Sequence, residues 1–204
     1  MHKNSHSKMK WFKNTYLKAS SKLDILDVGS LDGKGDYNYS DIFDEENWSY
    51  TGLDYEEGNN VDIVVTDIYN WFEVEDNSYD VVISGQLFEH LEFFWLTMSE
   101  IERVLKPGGY VCIIVPSAGP KHGGNVPNCY RFHEGGLKAM AKYVDLEILY
   151  ASVDERKEAA PWNDACLVAH KPGSLQNTET KELEDRINNL EGKLDSILEA
   201  LSKK

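Results

Sequence analysis

The first 171 residues alternate short apolar runs with stretches whose apolar residues recur at helical spacing. Strands that alternate with helices are typical of a mostly parallel sheet covered by helices on both faces. The pattern predicts strands at 23–28, 49–54, 61–65, 80–84 and 110–115, and a final strand pair at 146–153 and 165–171. It predicts helices at 96–105, which stops before Pro107, and at 134–143.

A polar linker is predicted at 172–180, after the last strand, and a helix at 181–204. In this helix apolar residues recur at alternating spacings of four and three, as at the a and d positions of a heptad repeat. They are Leu183, Ile187, Leu190, Leu194, Ile197 and Leu201. Because a lone helix would expose these side chains to water, we expect a coiled coil that makes a homo-oligomer through residues 183–201. Docking of the helix on its own domain is the alternative, and the number of chains stays open.

The 204-residue chain has a formal net charge of −14, which argues against nucleic acid as a partner because phosphate backbones attract basic surfaces. Residues 1–22 are different, since this predicted helical segment carries six lysines and no acid. The segment either contacts an anionic substrate or presents a solvated helix face. No apolar run approaches the roughly 18–20 residues that span a bilayer, and no secretory signal is evident. The three cysteines lack the spacing of metal ligands, and we therefore expect reduced thiols in a cytoplasmic protein.

The most informative stretch is the turn after the first strand, where the apolar run 23–28 meets Gly29, Gly33 and Gly35. Glycines let the backbone approach a ligand where a Cβ would clash. The second and third strands each end in an acid, Asp54 and Asp67, and the fourth runs into the polar stretch 84–90. A Lys-Pro-Gly-Gly turn then precedes the fifth strand.

This ordered set resembles the class I S-adenosylmethionine (SAM) dependent methyltransferases over residues 23–171. The resemblance implies a Rossmann-like seven-stranded sheet that is mostly parallel, with one antiparallel strand supplied by the final strand pair. It also implies that SAM is the cofactor. The family usually has glycine at the position of Leu31, so we expect this side chain to point away from the ligand.

Under this resemblance the parts of SAM meet different residues. The ribose hydroxyls would bind an acid at the carboxyl end of the second strand, as in other nucleotide-binding sheets. The implied contacts are Asp27, Gly29, Ser30 and Gly33 around the methionine part, Asp54 at the ribose, Tyr55, Asp67 and the Ile68 backbone at the adenine, and Ser84 and Gln86 at the end of the fourth strand.

The segments around His122, at 128–137 and at 161–164 are similar to a type 11-like branch of these enzymes that is associated with glycan modification. The branch implies methyl transfer to an O or N atom of a small polar acceptor, a sugar or glycan. His122, Arg131 and Trp162 are then the expected acceptor-binding residues.

A hydroxyl acceptor must also lose its proton, and an unperturbed histidine titrates near pH 6.5, which suits it as a base. His90, just past the fourth strand, is the first candidate and His133 the second, although His90 can also serve only to hold a loop. Together with Glu89 and His122 they invite a metal-site interpretation. Because adjacent residues on one element rarely both point inward, and no cysteine pair supports the cluster, the sequence predicts no metal.

The same residues bear on two rival functions. A nicotinamide-dependent dehydrogenase needs Gly-x-Gly-x-x-Gly, and Gly29, Gly33 and Gly35 have a different spacing. A non-catalytic SAM-binding scaffold, oligomerised by the coiled coil, is the alternative to an enzyme. Leu31 favours the scaffold, and the acids at the strand ends together with His90 favour the enzyme.

Overall fold

The computed structural model describes residues 3–32, 38–122 and 126–173. Gly33 and Gly35 of the predicted SAM turn, and the predicted coiled coil at 183–201, lie outside the described residues. One compact unit ends at Lys171. Its elements are α1 (Lys3–Tyr16), β1 (Leu23–Val28), β2 (Trp48–Asp54), β3 (Ile63–Val64), β4 (Tyr79–Gly85), α2 (Phe94–Val104), β5 (Leu105–Val115), α3 (Glu134–Tyr143), β6 (Glu147–Val153) and β7 (Ala165–His170).

The strands form one sheet in the order β3-β2-β1-β4-β5-β7-β6. The neighbours from β3 to β5 are parallel, and β7 runs antiparallel to both β5 and β6. The predicted Rossmann-like, mostly parallel seven-stranded sheet is therefore confirmed. The chain order reverses where β1 lies between β2 and β4, and in open sheets of this kind ligands bind beyond the carboxyl ends of the strands at that point.

Two strands differ from the prediction. The third has only two residues, because the Asp62 carboxylate accepts the Gly52 amide hydrogen at 2.8 Å and so takes the place of a ladder bond. The fifth begins at Leu105, directly after α2, and includes the Pro-Gly-Gly turn. It can do so because Gly108 and Gly109 exchange backbone hydrogen bonds with Lys171, each 2.9 Å long.

Each face of the sheet carries its own apolar cluster. Met98 of α2 and Leu137 of α3 are fully buried with Val28 and Val82 on one face. Met9 and Phe12 of α1 are buried on the other face, beside Ile25 and Ile83, so the prediction of helices on both faces is confirmed.

The basic N-terminal segment is part of this domain core rather than an independent arm. Lys8 lies 3.2 Å from Asp154, and Lys13 lies 2.8 Å from Glu45. Two of its lysines are thus paired with acids of the same domain. None of the helices in the described part of the chain has the length and apolar character needed to cross a membrane.

Candidate active site

The backbone turns sharply at Gly29, immediately after β1. Its φ is +80°, and a Cβ there would lie 2.9 Å from the Leu87 side chain, so both conformation and space require glycine. The turn is tied to the loop between β2 and β3. The Ser30 hydroxyl donates to the Asn60 carbonyl at 2.7 Å, and the Asn60 side chain donates back to the Ser30 carbonyl at 3.0 Å.

Asp27 supports this turn from inside the protein. Its buried carboxylate accepts a 2.5 Å hydrogen bond from the Tyr50 hydroxyl, which in turn accepts from the Asn60 amide at 3.1 Å. Burial raises the pKa of Asp27 to about 7, although the Tyr50 hydrogen bond partly opposes the shift. The network links the end of β1 to the loop that anchors Ser30.

Asp54, at the end of β2, is organised by the backbone around it. Its Oδ2 accepts from the Leu31 amide at 3.0 Å, and its Oδ1 accepts from the amides of Tyr55 and Glu56 at 2.8 and 3.3 Å. Burial raises the pKa of this carboxyl, and the three amide bonds oppose the rise. A carboxylate has about four acceptor positions, and within the described residues three are filled, which leaves one on Oδ2 for a ligand hydroxyl.

The Leu31 side chain, where the resembled family has glycine, packs on the loop after β2. A Cβ placed on Gly58 would lie 2.4 Å from Leu31 Cδ1. Leu31 therefore contributes its amide to Asp54 while its side chain is directed toward Gly58.

The residues assigned to the adenine lie on the outer part of this edge. Tyr55 is 50% exposed, and the exposed Asp67 accepts the Tyr69 amide hydrogen at 2.9 Å. The Ile68 carbonyl accepts from the Trp71 indole at 2.9 Å. Asp67 and Ile68 are thus fixed by local turn contacts.

The end of β4 joins the cofactor edge to α1. The buried Ser84 hydroxyl donates to the Val28 carbonyl at 2.8 Å. Gln86 has a φ of +61° and donates from its side chain to Asp164 at 3.2 Å. Asn4 donates to the other oxygen of Asp164, also at 3.2 Å, so this buried acid connects the start of α1 to the end of β4.

Glu89, His90 and His122 come together just beyond β4. The buried Glu89 Oε1 lies 3.6 Å from Nε2 of His90 and 3.8 Å from Nε2 of His122. Nδ1 of His90 lies 2.6 Å from the Pro127 carbonyl oxygen, which makes Nδ1 the protonated nitrogen of the neutral ring and leaves Nε2 for other chemistry. We call these three side chains the Glu-His-His cluster.

Glu89 and His90 are adjacent in the sequence, and both nevertheless place side-chain atoms in this cluster, contrary to the expectation from their adjacency. They end a 3₁₀ turn, Phe88–His90, and the Glu89 carbonyl accepts the Cys129 amide hydrogen at 2.7 Å. The segment that carries His122 therefore folds back over the turn, and His122 contacts both side chains.

The predicted acceptor-binding residues adjoin this cluster. The rings of His122 and Trp162 are 4.6 Å apart, and Nδ1 of His122 lies 3.4 Å from the Arg131 guanidinium. Gly119, with a φ of +94°, lies so close to Trp162 that a Cβ would come within 2.5 Å of the indole. His133 is the exposed N-cap residue of α3, and no hydrogen bond or ion pair joins its side chain to the cluster within the described ranges.

Sequence reasoning missed the residues that hold the site together. Asn60 and Tyr50 secure the glycine turn, and Asn4 holds Asp164. Only Asn60 had a signal in the sequence that predicts its role, since it follows Asn59 and asparagine is typical of turns. Its φ of +67° lies in the left-handed region that asparagine tolerates.

Comparison with known proteins agrees with this geometry. A model described as a methyltransferase domain matches residues 26–113, from within β1 into β5. Solved structures of the same fold include a SAM-dependent methyltransferase from Aquifex aeolicus (17% identity, 82% of this chain and 90% of that chain, TM-score 0.60). Another is the 1,6-didemethyltoxoflavin-N1-methyltransferase of Burkholderia thailandensis with S-adenosylhomocysteine (14% identity, 83% and 77%, TM-score 0.62).

A third is a complex between the Haloferax volcanii Trm112 methyltransferase activator and a methyltransferase (16% identity, 82% and 89%, TM-score 0.61). No curated protein matches the chain. The sheet and its strand-end site define the class I methyltransferase fold. With the matched methyltransferase domain, the chain is a SAM-dependent methyltransferase, and SAM is its cofactor.

Proposed function

We propose that the enzyme transfers the methyl group of SAM to an O or N atom of a small polar acceptor, a sugar or glycan. The observation that carries this proposal is the grouping of Trp162, His122 and Arg131 beside the end of β4. A sugar ring has an apolar face and polar edges, and a pocket that joins an aromatic ring to a few polar groups suits both. The guanidinium of Arg131 adds a site for an anionic substituent.

The reaction itself needs little covalent help from the protein. The methyl carbon leaves the sulfonium as its C–S bond breaks, and sulfur keeps the bonding electron pair. A C–O or C–N bond forms on the acceptor, and S-adenosylhomocysteine is released. The enzyme therefore works mainly by holding the acceptor atom in line with the methyl group.

We propose that proton removal from the acceptor takes place at His90. The Pro127 carbonyl accepts the Nδ1 proton at 2.6 Å, so Nε2 is the nitrogen that faces the Glu-His-His cluster. His133 is the second candidate base, and its exposed position at the start of α3 makes it the weaker one.

The acceptor is identified by incubating the enzyme with SAM and a panel of nucleotide sugars, glycans and small metabolites. The expected result is methylated product from a sugar-containing member and none from apolar metabolites. Conversion of a non-sugar metabolite alone would contradict the acceptor class.

On the acceptor found, His90→Ala should lower turnover by about 10²–10⁴ while the dissociation constant for SAM stays near that of the wild type. His133→Ala is the matched control and should retain turnover. Full turnover in His90→Ala would show that His90 is not the base. Loss of turnover in His133→Ala alone would assign the base to His133.

The non-catalytic SAM-binding scaffold is the alternative that the acceptor panel tests. Leu31, the residue that favours it in the sequence, directs its side chain toward Gly58. We further propose a cytoplasmic homo-oligomer assembled through residues 183–201. A scaffold would bind SAM and give no methylated product with any acceptor of the panel.

A further inference from the structure

The Glu-His-His cluster has the composition and spacing of a cation site. One ligand atom from each of Glu89, His90 and His122 lies within 4.8 Å of the other two. We propose that this cluster binds one divalent first-row transition-metal ion, which takes the acceptor oxygen as a further ligand. The inference rests on the proposed function and assigns activation of the acceptor to the bound ion in place of His90 as the base, because Nε2 of His90 would then be a metal ligand.

The distances fit a shared ion better than direct hydrogen bonds. Glu89 Oε1 is 3.6 Å from His90 Nε2 and 3.8 Å from His122 Nε2, whereas hydrogen bonds of this kind are about 2.7–3.2 Å long. Two ligands that each lie about 2.1 Å from a tetrahedral ion are separated by roughly 3.4 Å. Small side-chain movements would thus place all three atoms on one ion.

The chemistry of the donors narrows the choice of ion. Two imidazoles and one carboxylate are the ligand set of several catalytic zinc sites, and they leave at least one position open for water or substrate. Imidazole also favours zinc, cobalt and similar ions over magnesium or calcium, which prefer oxygen ligands.

The surroundings orient the two imidazoles. The Pro127 carbonyl accepts the Nδ1 proton of His90, an arrangement found around metal-bound histidines. Nδ1 of His122 lies 3.4 Å from the Asn128 amide, and the amide oxygen would accept its proton once the group is turned over, since the two amide orientations have nearly the same shape. Arg131, also 3.4 Å from this nitrogen, donates to the Pro120 carbonyl at 2.6 Å.

The site adjoins Trp162, where the acceptor is proposed to bind. A hydroxyl that coordinates a divalent ion loses its proton at lower pH than a free hydroxyl does, as water does on zinc. The proton passes to solvent, and the bound oxygen attacks the methyl carbon as sulfur takes the electron pair of the C–S bond. This step favours an acceptor that presents a hydroxyl with an adjacent oxygen, as a sugar does.

The test is titration of the full-length metal-free enzyme with Co²⁺ and with Zn²⁺, in the absence of acceptor. We expect one equivalent of either ion to bind, with a Co²⁺ absorption spectrum typical of nitrogen and oxygen ligands. Glu89→Gln and His122→Ala should each weaken binding roughly tenfold or more. His170→Ala is the matched control, because His170 also lies near a carboxylate, 3.7 Å from Glu147, and the described residues hold no second histidine in a cluster with it.

Metal binding is measured without acceptor, so its failure is distinguishable from failure of the proposed function. SAM affinity, measured by calorimetry, should be the same in all of these variants, and it also shows that each has folded. His122 has a side chain that is 32% exposed, so His122→Ala decides the matter if Glu89→Gln does not fold.

Absence of saturable binding, or equal binding in wild type and His122→Ala, would overturn the cation site. Turnover that survives chelation would overturn its catalytic role while the proposed function stands. One-equivalent binding that His122→Ala abolishes, without methylation of any sugar, would keep the site and refute the acceptor class.

Discussion

Replacement of Asp54 tests the cofactor site directly. Three backbone amides of the described chain use three of about four acceptor positions on this carboxylate, and the fourth, on Oδ2, is where we propose that a ribose hydroxyl binds. A hydrogen bond to a charged acceptor contributes about 1.5–3 kcal/mol. At 1.4 kcal/mol for each factor of ten, Asp54→Ala should raise the dissociation constant for SAM by roughly 10- to 150-fold.

The matched variant Asp54→Asn keeps one acceptor oxygen and the size of the side chain. It should weaken SAM binding less than Asp54→Ala, because one side-chain oxygen can still accept the Tyr55 amide hydrogen or the Leu31 amide hydrogen. Asp76→Asn removes the same charge from an exposed acid that pairs with Arg103, and it should leave affinity unchanged.

The assay is isothermal titration with SAM and with S-adenosylhomocysteine, under one buffer and salt concentration. Wild-type affinity in Asp54→Ala would refute the ribose assignment. An equal loss in Asp76→Asn would show that overall charge, and not the Oδ2 contact, sets the affinity.

Three further results are expected. Asp27, with its pKa raised to about 7, favours the folded state when neutral, so its contribution to stability is present below about pH 4 and is lost as pH rises to about 7. Asp27→Asn should remove this loss, which is on the order of 4 kcal/mol, and wild-type and variant curves of unfolding free energy against pH that run parallel would contradict it. Gly85→Ala should lower the free energy of unfolding by about 1–3 kcal/mol, because its Cβ would lie 1.9 Å from the hydroxyl of the buried Tyr39. Gly135→Ala, in open space on α3, should raise the free energy of unfolding by up to about 1 kcal/mol in the same denaturation assay. Truncation after Lys171 should leave SAM affinity intact and yield a monomer by light scattering, and a full-length monomer at micromolar concentration would refute coiled-coil assembly.

The sheet was predictable because its signals are local. Each parallel strand is a short apolar run, and the acid or glycine that follows marks its carboxyl end, as at Gly29 and Asp54. Where the prediction failed, a side chain replaced a backbone contact. Asp62 shortened β3 by taking the Gly52 amide hydrogen, which no hydrophobic pattern reveals.

The proposed acceptor side was less predictable, because distant parts of the chain build it. His90 and His122 were both recognised as candidates, but their contact depends on a loop whose Cys129 amide binds the Glu89 carbonyl. Asp164 joins Asn4 and Gln86 across 160 and 78 residues of chain. Such contacts follow from the completed fold and not from spacing along the sequence.

The two parts of the site differ in how well they tolerate substitution. The groups proposed to hold SAM also hold the fold: Asp54 binds the amides of its own turn, and Ser30 binds the neighbouring loop. A change there costs stability as well as affinity. His122 and Trp162 are only half-buried and lie on loops after the strands, so they can change with smaller cost to the fold. The proposed cofactor site can thus stay constant while the proposed acceptor site diverges, so the acceptor has to be found through the loop residues.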